Sequence, residues 1–252
     1  MLFRSWTEAE DGALKQTPLH ALHKELGAKM APFAGYEMPL WYSSVSEEHA
    51  AVRQRAGLFD VAHMGAFDVS GPAAAAFLDA VTTNDVYNLD VGSSHYTFFL
   101  DVDGVPVDDL MIYRLSAGRY LLVVNASNND KDWAWLNGVL TGDVQIDPAH
   151  PERTLGLAGR VTLRDLRAAS SGADRRVDLA LQGPQSKAIL LALGGSEADL
   201  KKVSGLPWAG VAQVTLGGFD LIVTRTGYTG ERIAFELFVH PEQAEALARV
   251  LI

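Results

Sequence analysis

An α+β fold is predicted for this chain, and three features of the sequence predict it. Helix-period segments with caps are mixed with strand-period segments rather than alternating as strand–helix–strand units. The strand runs are joined by Asp103-Gly104, Ala117-Gly118 and Gly217-Gly218, turn dipeptides that suit antiparallel neighbours. With 252 residues, 48% of them apolar or aromatic, the chain can bury the core of one large or two modest units.

Residues 1–16 read as a loosely held leader. Order begins at Thr17-Pro18, an N-cap followed by proline at the first helical position; Leu19, Leu22 and Leu26 then share one face, and Gly27 stops the turn. Ser44 with Glu47 three residues on is a capping box, opening a helix through Val52 that Gly57 terminates. The stretch 32–42 between them is a loop, too aromatic for a mere linker. Phe67 and Val69 alternate, and Gly71-Pro72 opens a helix containing Phe77 and Leu78. Strands are expected at 96–100, 105–113 and 120–124, and a helix at 130–140.

Residues 142–176 mix Pro, Gly, Ser and charges, with only 161–166 suggesting a strand, and read as a long excursion or a domain crossing. Val177, Leu179 and Leu181 alternate before Gly183-Pro184 starts another helix. Strands at 211–216, 219–224 and 235–239 lead to a helix from Pro241, which stops uncapped at Ile252, as if the chain were cut there. A strand leading through Gly-Pro into an apolar helix occurs at 66–81 and again at 177–192, but so common a unit does not establish a repeat.

A net charge of −10 repels phosphate backbones and anionic lipid heads, so neither nucleic acid nor a membrane is an expected partner. The absence of cysteine removes disulfides, thiolate nucleophiles and thiolate metal sites together. No apolar run approaches the roughly 18 residues that span a bilayer. The first residues lack the continuous apolar region of a signal peptide, which makes a cytoplasmic location the default.

His20 and His23, one helical turn apart, read as a solvated helix face, and no metal site is expected. Asp101 and Asp103 belong to a turn rather than a calcium loop, since the later acidic ligand is missing. Phosphate-loop, dinucleotide, zinc-protease and hydrolase motifs are absent. Asp108-Asp109 is more informative: on a strand, one carboxylate faces any cavity the sheet lines and the other faces away, or both cap a bent edge strand. Asn125, at a strand end, could cap the following helix. The segment 225–236 joins two strands through a glycine-spaced turn with an aromatic and two acids. It is either a decorated hairpin or a carboxylate beside an aromatic, suited to a flat heterocycle with paired N–H donors.

Several strings then fit one family: Thr17-Pro-Leu-His, Gly27-Ala-Lys-Met-Ala-Pro-Phe-Ala-Gly, Met38-Pro-Leu, Gly57-Leu-Phe-Asp-Val-Ala-His-Met, Val107-Asp-Asp-Leu, Leu181-Gln-Gly-Pro and Arg225-Thr-Gly-Tyr-Thr-Gly-Glu. From residue 17 onward the chain resembles the folate-dependent aminomethyltransferase family, the T-proteins of the glycine cleavage system. The resemblance implies two folate-binding domains of antiparallel sheets flanked by helices, one from 17–68 plus 150–252 and one inserted at 69–149. The family's β-rich C-terminal domain is missing from this chain. It implies transfer of an aminomethyl carbon from the lipoyl arm of H-protein to tetrahydrofolate, releasing ammonia and 5,10-methylenetetrahydrofolate.

By the same resemblance, Asp109 is the carboxylate that orients the reactants and assists proton movement. Met64, Tyr96 and Asn125 contact the folate, Tyr228 lines the pterin pocket, and Glu236 accepts from the pterin N–H groups. The spacing from Gly230 to Glu236 is one residue longer than the family's, so either a bulge restores the direction of Glu236 or Glu231 takes its place. Two alternatives share the site: a folate-dependent demethylase of a small methylated donor, and a non-catalytic folate-binding scaffold. Scaffold relatives carry a Cys in the glycine-rich motif, where this chain has Tyr228.

Overall fold

The computed structural model describes residues 13–154, 156–157 and 159–252. Of the leader expected over 1–16, residues 1–12 lie outside the described residues. Lys15 is already docked, its backbone bonded to Gly35 and Glu37.

The first elements are α1 (His20–Glu25), the hairpin β1 (Lys29–Phe33) and β2 (Tyr36–Trp41), α2 (Val45–Gln54) and β3 (Gly57–Asp60). A unit then runs β4 (Gly65–Ser70), α3 (Ala74–Val81), β5 (Ser94–Leu100), β6 (Pro106–Ser116), β7 (Arg119–Val124) and α4 (Asn129–Thr141). After β8 (Thr162–Asp165) a second unit follows: β9 (Val177–Gln182), α5 (Ser186–Ala192), α6 (Glu197–Ser204), β10 (Val211–Leu216), β11 (Phe219–Thr224), β12 (Ala234–Val239) and α7 (Pro241–Leu251).

The two units share one topology. One sheet has the order β5-β6-β7-β4-β8 and the other β10-β11-β12-β9-β3, all pairs antiparallel. In each, a strand enters a Gly-Pro turn and a helix, and a three-stranded meander returns to pair with that strand. The likeness seen in sequence at the two Gly-Pro turns thus extends to whole sheets, with Gly71 and Gly183 at φ +122° and +121°. The edge strands are exchanged: β3, which precedes the first unit, pairs with β9, and β8, which precedes the second, pairs with β4. The first unit's sheet therefore draws on β4 and β8, chain on both sides of the segment 69–149.

Side-chain alternation on the strands separates three apolar clusters. Leu179, Leu181, Leu237 and Val223 pack under α5, α6 and α7 through Leu190, Val203 and Leu247. Phe67, Leu122 and Ile112 pack under α3 and α4 through Phe77, Leu78, Trp135 and Val139. The third cluster joins Ala66, Tyr113, Leu121 and Val123 of one sheet to Val211, Ile222 and Phe238 of the other. The sheets are therefore face to face with helices on both outer sides. Among the described residues no helix is long and apolar enough to cross a membrane.

Several local expectations are corrected. Helix α1 starts at His20, and Thr17 does not cap it: its hydroxyl donates to Asp60 Oδ2 at 2.5 Å. His20 and His23 are buried rather than solvated. His20 Nε2 lies 2.5 Å from Glu37, and His23 bridges Asp60 and the Tyr42 hydroxyl, each at 2.8 Å. The loop at 32–42 belongs to the β1–β2 hairpin, a two-stranded ribbon whose second strand also carries the Lys15 bridge at Tyr36, so Pro32 and Pro39 sit on edge strands. Ser44 caps α2 by accepting from Glu47 N at 3.3 Å, but it is Glu48 whose carboxylate returns to the backbone, at Tyr42 and Ser43.

Candidate functional site

Strand register assembles the site at one end of the first unit's sheet. Leu110 and Gly65 both lie opposite Val124, from the two sides of β7, so Asp109, Asn125 and Met64 fall beside one another. Across β5, Phe98 lies opposite Asp109 and Tyr96 opposite Met111. The Tyr96 hydroxyl donates to Asp109 Oδ2 at 2.9 Å. Asn125 Nδ2 reaches Asp109 Oδ1 at 3.2 Å and the Asp109 carbonyl at 3.0 Å. Both carboxylate oxygens of Asp109 are thereby oriented, and the bond to Asp109 raises the Tyr96 hydroxyl pKa.

The two adjacent acids do face opposite ways. Asp109 shares its face with Met111 and Tyr113, toward the other sheet, whereas Asp108 points under α4 and is buried. Asp108 accepts from the Asn125 amide nitrogen at 3.1 Å, from Asn125 Nδ2 at 2.9 Å and from Asn128 Nδ2 at 2.6 Å. Asn125 makes no cap to the following helix; its side chain ties the two acids together. Asp132 of α4 is fully buried beside Asp108. Burial first, and then Asp108, push its carboxyl up to about 9.

A folded-state pKa above the unfolded value means that Asp132 binds more protons folded than unfolded between about pH 4 and 9. Stability is therefore lost as pH rises through that window. Asp132→Asn keeps the shape of the protonated acid without the titration. Its stability is expected to gain on the parent by up to about 1.4 kcal/mol per pH unit between about pH 5 and 8. Thermal melts across that range check it; parallel curves would place Asp132 among ordinary solvated acids.

The second unit's sheet supplies the facing wall. Glu236 on β12 is 5% exposed and lies opposite Thr224 on β11. Its Oε2 accepts from Tyr113 of the other sheet at 3.1 Å, from Thr224 at 3.3 Å and from Thr226. Among the described residues none donates to Oε1. Burial raises the Glu236 pKa, and these three hydroxyls oppose the rise.

Tyr228, in the β11–β12 turn, is 74% exposed. Desolvation, then the charges of Glu236 and Asp109, raise its hydroxyl pKa. Glu231 is ion-paired with Arg53 of α2 at 2.6 Å. Met64 packs against the inter-sheet cluster.

Tyr113, Thr224, Thr226, Asn128 and Asp132 were not legible as site residues. Tyr113, Thr224 and Thr226 are also good strand formers, so their residue types carry no separate signal. Cavities of about 600 and 340 Å³ lie elsewhere, one beside Tyr36 and Arg167, the other beside Trp41 and Phe59. None of the six residues from the resemblance lines either.

Residues 19–252 match the family described as the GCVT N-terminal domain. A protein named aminomethyltransferase from Symbiobacterium thermophilum is 43% identical over 243 residues, covering 95% of this chain and 58% of that protein. Its namesake from Bacillus subtilis is 40% identical over 239 residues, with the same coverage. The crystal structure of glycine cleavage system aminomethyltransferase T from Bartonella henselae superposes with a TM-score of 0.77 at 35% identity, over 95% of this chain and 57% of that one. This chain thus spans somewhat more than half the length of these relatives, and on the match over 19–252 it belongs to the GCVT N-terminal domain family.

Proposed function

We propose that this chain carries the reduced-folate site of an aminomethyltransferase of the glycine cleavage system. The observation that carries the reading is the pairing of two acids across the sheets: Asp109, oriented by Tyr96 and Asn125, and Glu236, with one oxygen saturated by hydroxyls and the other without a donor. A pterin ring offers adjacent N–H donors to a carboxylate and a flat face to an aromatic. Glu236 Oε1 suits the first and the exposed Tyr228 ring the second.

The donor in this reading is the aminomethyl group on the lipoyl arm of an H-protein, and the acceptor is tetrahydrofolate, a co-substrate. The carbon leaves the lipoyl sulfur for the folate nitrogens, the amino nitrogen departs as ammonia, and the lipoyl arm is left reduced. Asp109 holds the reacting amine in place and takes part in moving its proton, so orientation and general acid–base help supply the rate. A cytoplasmic setting and the division into 17–68 plus 150–252 and 69–149 belong to the same proposal.

Calorimetric titration of tetrahydrofolate into this chain is expected to give saturable binding. Glu236→Gln is expected to weaken it by about 10- to 100-fold, as for the loss of a charge-assisted hydrogen bond. No binding by the parent chain, or unchanged binding by the Gln variant, overturns the assignment.

A further inference from the structure

Asp178 takes part in none of the ion pairs and hydrogen bonds described above. It sits on β9 opposite Phe238, two residues from Ala180, which lies opposite Glu236. Directly opposed and alternate residues share a face, so Asp178, Ala180, Glu236 and Phe238 all point the same way. That way is into the space between the sheets, because the Phe238 ring packs 6.2 Å from the Tyr113 ring and Tyr113 donates to Glu236.

Asp178 is 4% exposed, and neither of its oxygens makes a hydrogen bond of normal geometry. The amides of Leu179 and Leu237 are close enough to favour its charge slightly but are not aligned with it. The neighbouring cation, Arg176, is committed to Asp220 at 2.6 Å. A carboxyl left like this costs stability, and Phe238, the apolar residue opposite it, would accept a leucine as its neighbour. A buried carboxyl that finds no side-chain partner among the described residues breaks a local rule, as a binding group does before its partner arrives.

We infer that Asp178 is a specificity-determining residue of the same inter-sheet site, a second carboxyl that, beside Glu236, hydrogen-bonds the polar edge of a flat nitrogen heterocycle. The inference rests on the reading of that site as the reduced-pterin site. The two acids divide the work because their surroundings differ. Glu236 receives three hydroxyl donors and stays the better anion, an acceptor for ring N–H groups. Burial, then the Glu236 charge, drive the Asp178 carboxyl well above the usual range, so it retains a proton and can donate to a ring nitrogen or carbonyl oxygen. A site with one donor and one acceptor side by side rejects heterocycles that lack the matching pattern, since their binding would leave a buried polar group unpaired.

The test compares parent, Asp178→Leu, Asp178→Asn and Glu236→Gln for tetrahydrofolate affinity by calorimetry and for melting temperature without ligand. Asp178→Leu is expected to melt higher than the parent yet bind at least about 10-fold more weakly. Asp178→Asn, which keeps a donor and an acceptor, is expected to retain most of the affinity. A Leu variant that binds like the parent, while Glu236→Gln is weakened, overturns the role of Asp178 and leaves the folate reading standing. A Leu variant that melts lower, with the Asn variant binding as weakly as Leu, marks the carboxyl as a packing element and also overturns it. If the parent itself does not bind, the folate reading fails and Asp178 loses its ligand with it.

Discussion

Asp109→Asn is expected to lower aminomethyl transfer to tetrahydrofolate by about 100- to 10,000-fold, the range for loss of a positioned acid–base group. The substitution preserves size and one acceptor oxygen, so the Tyr96 hydroxyl keeps a partner at its 2.9 Å position. It removes the negative charge and the capacity to take a proton, while Asn125 must turn because two amide NH₂ groups cannot bond each other. Folding is expected to change by no more than about 1 kcal/mol, since only a half-buried hydrogen bond is lost. Ammonia release in the complete polypeptide, with tetrahydrofolate and an aminomethylated lipoyl carrier, should show the loss in kcat with KM nearly unchanged. A kcat within a few-fold of the parent would remove Asp109 from the chemistry.

Gly183→Ala should remove more than about 4 kcal/mol of folding stability. Gly183 has φ +121°, a conformation that L side chains rarely adopt, and an added Cβ would lie 2.5 Å from the Val52 carbonyl oxygen and 2.8 Å from that of Arg55. Those atoms are backbone at the end of α2, which is tied to the same turn by the bond from Gln185 N to Arg55 O at 2.8 Å. Neither side can yield cheaply, so backbone strain and overlap combine to more than about 4 kcal/mol, a large share of the stability of an ordinary domain. Gly71 occupies the matching turn of the other unit, where the obstacle is the Arg160 carbonyl. Gly104→Ala is the control: φ is +79° but nothing lies within 4 Å, so the cost should be only about 1–2 kcal/mol. Denaturant melts of the three variants separate close approach from conformational strain; equal losses would refute it.

The elements that local chemistry determines were legible. Asp103-Gly104 turns between β5 and β6 because Asp101 Oδ1 collects the amides of Asp103 and Val105, and Gly142 ends α4 in a left-handed conformation. Helix α6 escaped notice although Ser196 caps it through Asp199 N, because its short, charged sequence carries little apolar periodicity. The alternation of Val177, Leu179 and Leu181 announced a strand. All six residues of β9 are buried, since the other unit's sheet covers the second face. Asp178 carried no signal of its own, as one polar residue between the alternating apolar ones.

What the sequence determined by itself was the set of strands and helices it announced, the two Gly-Pro turns and, through its motifs, the family. Those follow from contacts a few residues apart or from strings that stand intact in the chain. Only the tertiary structure decided that β3 and β8 exchange sheets, that Asn125 clasps both adjacent acids, and that Tyr113 reaches Glu236 across 123 residues of chain. These depend on register and on one sheet closing over another, and neither leaves a trace in the spacing of residues along a single strand.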